Sequence, residues 1–506
     1  MAPVNRVRTR RRIRPLEQIP VWHGFDVVPD PGEEPGADGL GELLRGLNAD
    51  QRRAVTHGEG PLLVVAGAGT GKTQVITRRI AWLIATKRAK PSEILALTFT
   101  DKAAEEMQLR VDQLVPYGYA DTTISTFHAF GDRLIREFAF ELGRTPDVRV
   151  LSRPEVVVFL RERVFDLELE EYRPLGDPGR FLGALAQLFA RCRDEDVSVA
   201  RYREYADRLA VEAATAAAAV AAGHDVGEAD RDRAAALAET ARRQRELANA
   251  YGRYTDLLAE HGAIDFGDQV SLALRLLRES PAARRALQER YRYILVDEFQ
   301  DTNRAQSELV ALLAERHRNV TVVGDDDQSI YRFRGAAISN ILEFRERYRG
   351  ARTVVLRRNY RSLAPILDRS HRLIRHNDPD RLEVRVGISK RLVPERSVRD
   401  AAPVRHRAFG TPGEEADWIA AEIRRRIAAG AAARDHAVLV RTNADADAIL
   451  RSLNAAGIPW RFSGTSGLYA RPEIRLLLSL LRVVADPGST VDVYALAAPD
   501  RYTVPA

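Results

Sequence analysis

Residues Leu62-Leu63-Val64-Val65-Ala66-Gly67-Ala68-Gly69-Thr70-Gly71-Lys72-Thr73 decide the fold. An apolar run of this length, with nothing polar to alternate against, is the pattern of a parallel strand buried on both faces. It runs straight into a glycine-rich turn ending in Gly-Lys-Thr, and Val75–Ile84 then reads as a helix. Glycines there let backbone N–H groups wrap a polyphosphate while the helix N-terminus faces its charge. The candidate phosphate-contacting residues are Ala66, Gly67, Ala68, Gly69, Thr70, Gly71, Lys72 and Thr73. Lys72 is placed for the β and γ phosphates of ATP, and the Thr73 hydroxyl for Mg²⁺. Ala66 departs from the strict pattern, which begins with glycine.

Such a loop requires an acidic strand end to hold the metal. Tyr293-Ile294-Leu295-Val296-Asp297-Glu298 supplies one, with Asp297 suited to Mg²⁺ and Glu298 suited to orient and deprotonate a water. Alone, two acids after a strand are common; with the loop, and followed by Phe299-Gln300-Asp301-Thr302, they form a coherent site.

Outward from these segments, strands are predicted at Ile94–Leu97 and Val320–Val323, giving an α/β domain from residues 41–130 and 285–352. Residues 131–284 are rich in Ala, Arg, Glu and Leu, with long helices predicted over 211–222 and 231–258, and read as an inserted helical domain. A third α/β region opens at Thr353–Leu356, includes Ala437–Val440 as a strand, and runs to 486. Residues 1–40 mix arginines with prolines and glycines, the composition of a disordered basic tail.

With 506 residues the chain exceeds a single core and divides into three or four domains. No apolar run reaches the ~20 residues of a membrane span, and the start has no signal-peptide core. One cysteine, Cys192, rules out a disulfide framework or a zinc-thiolate cluster within the chain. These features place the protein in the cytoplasm. A net charge of +6 and a pI near 9.4 suit a polyanion without requiring one.

Several separate segments together resemble the UvrD/Rep family of superfamily 1 DNA helicases. Leu47-Asn48-Ala49-Asp50-Gln51 is similar to the Q motif, LTFTDKAAEEM (97–107) to motif Ia, TISTFHAFG (123–131) to motif Ib, and VDEFQDTN (296–303) to Walker B. VVGDDDQSIYRFRGA (322–336) resembles motif III and LRRNYRS (356–362) motif IV. The resemblance covers roughly residues 47–486 and implies a RecA-like lobe carrying a helical insertion, followed by a second RecA-like lobe. It implies that Gln51 reads adenine, Gln328 senses the γ-phosphate, Tyr360 stacks on adenine and Arg361 is the arginine finger. It makes Phe99, His128, Phe333 and Arg334 candidate DNA contacts, in keeping with the aromatic and cationic chemistry that grips single strands. Taken singly, Phe99 fits a core position better, and His128 reads as a packed or surface histidine. Phe333 stands where many members carry tryptophan, and Gln74 where many carry arginine.

The matching sequence reaches 464–489, and residues 363–506 contain neither of the family's closing motifs. Residues 487–506 are accordingly expected to begin a second insertion, leaving the second lobe incomplete. A fragment, a natural truncation and a split motor completed by a second chain all remain open. The implied function is an ATP-dependent, 3′ to 5′ helicase on single-stranded DNA and duplex junctions, in repair or replication. The alternative is an ATP- and DNA-binding fragment or subunit that does not unwind alone. A P-loop kinase or GTPase predicts neither the aromatic-arginine segment nor the long helical insertion.

Overall fold

The computed structural model describes residues 37–115, 121–222, 227–330, 339–397, 403–462, 472–485, 487 and 490–497. The chain divides into two compact units, with the boundary between Pro403 and Val404.

The first unit is built on a six-stranded sheet. Its strands are β1 (Leu62–Ala66), β2 (Ile94–Thr98), β3 (Thr123–Thr126), β6 (Tyr293–Val296), β7 (Val320–Gly324) and β8 (Arg352–Leu356). Between them in sequence lie β4 (Arg149–Leu151) and β5 (Ala263–Asp265), which form a separate pair. The sheet order is β3-β2-β6-β7-β1-β8, and every neighbouring pair is parallel. Parallel strands need crossover connections that cover both faces. This explains why β1, β2, β6 and β7 are buried along their whole length. One core cluster, including Leu63, Leu95, Ile294 and Val322, lies on one face; a second, including Leu62, Val64, Leu295 and Val323, lies on the other. Because all six strands point the same way, the loops after them gather at one edge, where ligands of open α/β sheets bind.

Two expectations about strands are corrected. Thr353–Leu356 does not open a second lobe: β8 pairs with β1 in the first sheet, Val354 opposite Val64. An apolar run joins whichever strand edge lies within reach, and here β1 has an open side away from β7. Ala437–Val440, expected as a strand, has no ladder partner, and Leu439 is 94% exposed. A strand without a neighbour leaves its backbone groups to solvent, and among the described residues of 404–506 no strand is present to pair with it.

The helical insertion is narrower than 131–284. Helices Phe127–Glu137, Phe266–Glu279 and Pro281–Arg290 contribute Phe130, Leu134, Leu274, Leu277 and Leu287 to the first lobe's core. The insertion's own core runs from Leu151 to Ala263. The short β4–β5 pair stands at its root. Of its long helices, Val199–Ala221 begins well before the predicted 211–222 and ends one residue short of it, and Glu228–Glu260 extends the predicted 231–258 at both ends.

Beyond β8 and still within the first unit, the short strand β9 (Arg358–Asn359) pairs with β10 (Val393–Pro394). The second unit has helices Pro412–Ala428, Ala446–Ala455, Pro472–Ala485 and Thr490–Ala497, with a small core of Ala420, Leu453 and Ile458. Among the described residues no helix is long and apolar enough to cross a membrane.

Candidate nucleotide site

Gly69 and Gly71 both adopt positive φ, +75° and +87°, the left-handed backbone that favours glycine. A side chain at Gly69 would also strike Cβ of Arg361 at 2.6 Å. The turn delivers Lys72 as the first residue of helix Lys72–Ala85, whose N-terminus has no side-chain cap. Its first N–H groups therefore remain available to an anion. Ala66, grouped with the loop on sequence, is the fully buried last residue of β1.

Lys72 Nζ donates to Glu298 Oε2 at 2.6 Å and to Gln328 Oε1 at 3.3 Å. The loop lysine, the Walker B glutamate and the motif III glutamine thus meet at one ammonium. Glu298 reaches it from a left-handed backbone (φ 50°, ψ 44°), an unusual conformation for a residue with a side chain. Its N–H donates to Asp297 Oδ1 at 3.0 Å.

Asp297 stands at the tip of β6, 7% exposed, tied to β2 by its N–H to the Leu97 carbonyl. Burial and the adjacent Glu298 push its carboxyl up to about 7, opposed by Lys72. Burial and Glu298 also push Asp301 up to about 6, and its buried Oδ1 has no hydrogen-bond partner. Lys72 bonds Glu298 alone of these three acids, so Asp297 and Asp301 are left beside a further carboxylate with a shortage of positive charge that a divalent cation would relieve. The donor set therefore fits Mg²⁺. Thr73, at the start of the same helix, is partly exposed.

Buried Gln300, not singled out from sequence, joins these acids to the next strand. Its Nε2 donates to Glu298 Oε2 at 2.8 Å and to Asp301 Oδ2 at 3.2 Å, while its Oε1 accepts the Asp325 N–H at 3.0 Å. Asn359 was also missed. Its Nδ2 donates to the Ala68 carbonyl at 2.6 Å, and its Oδ1 accepts the N–H groups of Arg361 and Ser362. The Tyr360 N–H donates to the Gly69 carbonyl at 2.9 Å. Residues 359–361 therefore fasten onto the phosphate loop itself, bringing the backbone of Arg361 beside Gly69.

On the other flank, Asn48 and Gln51 form a capping box at the start of helix Ala49–Val55. Such a pair is readable as Asn-x-x-Gln. Gln51 Nε2 donates to the Thr70 carbonyl at 2.9 Å, so this glutamine braces the loop. Asn48 Nδ2 donates to the Tyr360 hydroxyl at 2.9 Å, setting the half-exposed Tyr360 ring near the Gln51 helix.

Of the DNA candidates, Phe99 follows β2 and His128 follows β3, whose last residues Thr98 and Thr126 are paired. Both are half-buried. His128 packs edge-on to Phe266 at 6.1 Å, and burial lowers its pKa against the opposing pull of Asp101. Phe333 and Arg334 lie outside the described residues.

The UvrD/REP helicase N-terminal domain family model matches residues 47–349, and the UvrD-like helicase C-terminal domain matches residues 354–494. Similar curated proteins include the ATP-dependent DNA helicase PcrA of Staphylococcus epidermidis, 32% identical over 454 residues, covering 90% of this chain and 56% of that protein. PcrA of Staphylococcus aureus is 31% identical with the same coverage. The chain spans about half the length of these curated relatives.

Proposed function

The chain belongs to the UvrD/REP helicase family, and from that premise we propose that it binds and hydrolyses ATP to drive movement along single-stranded DNA. The observation that carries this reading is the convergence of Lys72, Glu298 and Gln328 at one ammonium beneath an uncapped helix N-terminus.

In this reading the N–H groups of Gly67–Lys72 and the Lys72 ammonium receive the triphosphate. Gln51 and the Tyr360 ring accept the adenine. Asp297 and Thr73 would hold Mg²⁺, which supplies charge neutralisation at the β and γ phosphates. Glu298 takes a proton from water as the water oxygen bonds the γ-phosphorus. The bond from that phosphorus to the β-bridging oxygen breaks, giving ADP and phosphate. Gln328 registers the γ-phosphate, and Arg361 stabilises charge on the transferred group. Phe99, His128, Phe333 and Arg334 contact DNA, and translocation runs 3′ to 5′ in repair or replication. Relatives named as ATP-dependent DNA helicases support the reading of an ATP-driven protein acting on DNA.

A second reading is an ATP- and DNA-binding subunit without turnover of its own. It is favoured by residues 404–506, where the described residues contain no strand to form a second sheet. ATP hydrolysis by the purified chain, titrated with single-stranded DNA beside Glu298→Gln, separates the two. DNA-stimulated turnover that the variant loses supports the motor. Tight ATP binding without turnover supports the subunit, and no ATP binding refutes both.

A further inference from the structure

Three consecutive aspartates follow β7: Asp325, Asp326 and Asp327, the first two buried. Their carboxylates lie close enough together to hold a metal ion. The side chain of Lys390 occupies that place instead. Its Nζ lies 2.6 Å from Asp325 Oδ1 and 2.9 Å from Asp327 Oδ2, and it also bonds Asp326. Burial opposes this charge, yet the three carboxylates hold the ammonium above its usual pKa.

The other contacts in the cluster are divided. Arg381 takes Asp327 through two bonds of 2.8 Å, and the Leu382 N–H takes Asp326 Oδ2 at 2.7 Å. Asp325 alone turns toward the nucleotide site: its Oδ2 accepts from Gln328 Nε2 at 2.7 Å. An amide has one donor end and one acceptor end. With its NH₂ committed to Asp325, Gln328 must present Oε1 to Lys72, as observed at 3.3 Å. The flipped amide would set its oxygen against a carboxylate and its NH₂ against an ammonium. The orientation of Gln328 therefore depends on a fixed Asp325, whose Oδ1 is held by the Lys390 ammonium at 2.6 Å and by the Asp327 N–H at 3.2 Å.

We propose that Lys390 is a positioning residue for γ-phosphate recognition, acting through Asp325 to hold the Gln328 amide in register with Lys72. Lys390 lies in the 354–494 family segment and Gln328 in the 47–349 segment, so the relay joins the two segments within the first unit. This inference rests on the nucleotide-site reading above.

The test measures the full chain's preference for ATPγS over ADP, using fluorescent analogues of both, which needs no turnover. Lys390→Gln is expected to reduce that preference by about tenfold, mainly on the triphosphate side, with ADP affinity nearly unchanged. Lys390→Arg, which keeps the charge, should retain most of it. In a Gln328→Ala background, Lys390→Gln should produce no further loss, because the amide it positions is gone. An unchanged preference in Lys390→Gln, or an equal additional loss without Gln328, overturns the proposal. If Lys390→Gln does not fold, the same cycle with Lys390→Arg decides: its smaller loss must vanish without Gln328, and its persistence, or the absence of any loss, overturns the relay. Wild-type chain that binds neither nucleotide overturns the site reading itself, an outcome distinct from wild-type that discriminates beside a variant that discriminates equally.

Discussion

Lys72 and Glu298 form an ion pair of 2.6 Å across the phosphate loop. The lysine that a triphosphate requires is thus bonded to the residue assigned to activate water. Phosphate binding must exchange one charge-assisted partner for another. Glu298 is about one-third exposed, so solvent screening keeps the pair modest. Glu298→Gln should therefore bind ATP as tightly as the parent or a few-fold tighter, while turnover falls by about two orders of magnitude or more. Equilibrium nucleotide titration beside single-turnover hydrolysis checks both halves. Weaker binding by the variant would mean that the glutamate helps hold the lysine in place.

Asp297 sets a pH dependence whose sign follows from its raised pKa of about 7. An unfolded aspartate titrates near ~3.9. Between those values the folded chain holds a proton that the unfolded chain has lost, so this group's contribution to stability falls as pH rises through the window. Asp194 (about 7) and Asp301 (about 6) act in the same sense. A cation at Asp297 must displace the proton below about pH 7. The rise in Tm produced by Mg²⁺ with ATP should therefore be larger at about pH 8 than at about pH 6. Asp297→Asn should flatten that difference; an unchanged difference would remove Asp297 from the metal site.

The strands that read correctly from sequence, β1, β2, β6 and β7, are buried on both faces and leave an unbroken apolar run. The glycine-rich turn leading into helix Lys72–Ala85 was legible because its glycines and lysine are contiguous. What escaped depends on partners distant in the chain. The run at Thr353–Leu356 was recognisable as a strand, but its choice of β1 as neighbour rests on pairing across nearly the whole lobe. Gln300, Asn359 and Lys390 are ordinary polar residues in sequence. Their roles arise from contacts such as Lys390 with Asp326, 64 residues apart, or Asn359 with Ala68, 291 apart.

Gly131, at the end of TISTFHAFG, marks a close crossing of two helices. A Cβ there would lie 2.1 Å from the Gln269 carbonyl oxygen in helix Phe266–Glu279. The obstacle is backbone and cannot rotate away. Gly131→Ala should separate the helices and lower stability by about 1–3 kcal/mol or more. The same shift would loosen the edge-on contact of His128 with Phe266. Urea unfolding measures the first effect and DNA affinity the second. A variant of parental stability would show that the crossing is looser than described.

Neighbouring Arg193 and Asp194 should respond to mutation very differently. Buried Arg193 donates through Nε to Asp268 Oδ1 at 2.5 Å and lies 3.4 Å from Asp265 Oδ2. Arg193→Ala strands two buried carboxylates and should cost about 3–5 kcal/mol. Asp194 accepts one bond, from Asn303 Nδ2 at 2.7 Å, and burial holds its carboxyl at about 7. Removing it forfeits that bond but also the penalty of a carboxylate held out of water, so Asp194→Ala should change stability by only about 1 kcal/mol in either direction. Asn303 would still cap helix Arg304–Ala314 through its box with Gln306. Urea transitions of the two variants at about pH 7.5 decide the matter. Equal losses would mean that the Asp194–Asn303 contact, which joins the insertion to the Walker B segment, carries more of the interface than one hydrogen bond.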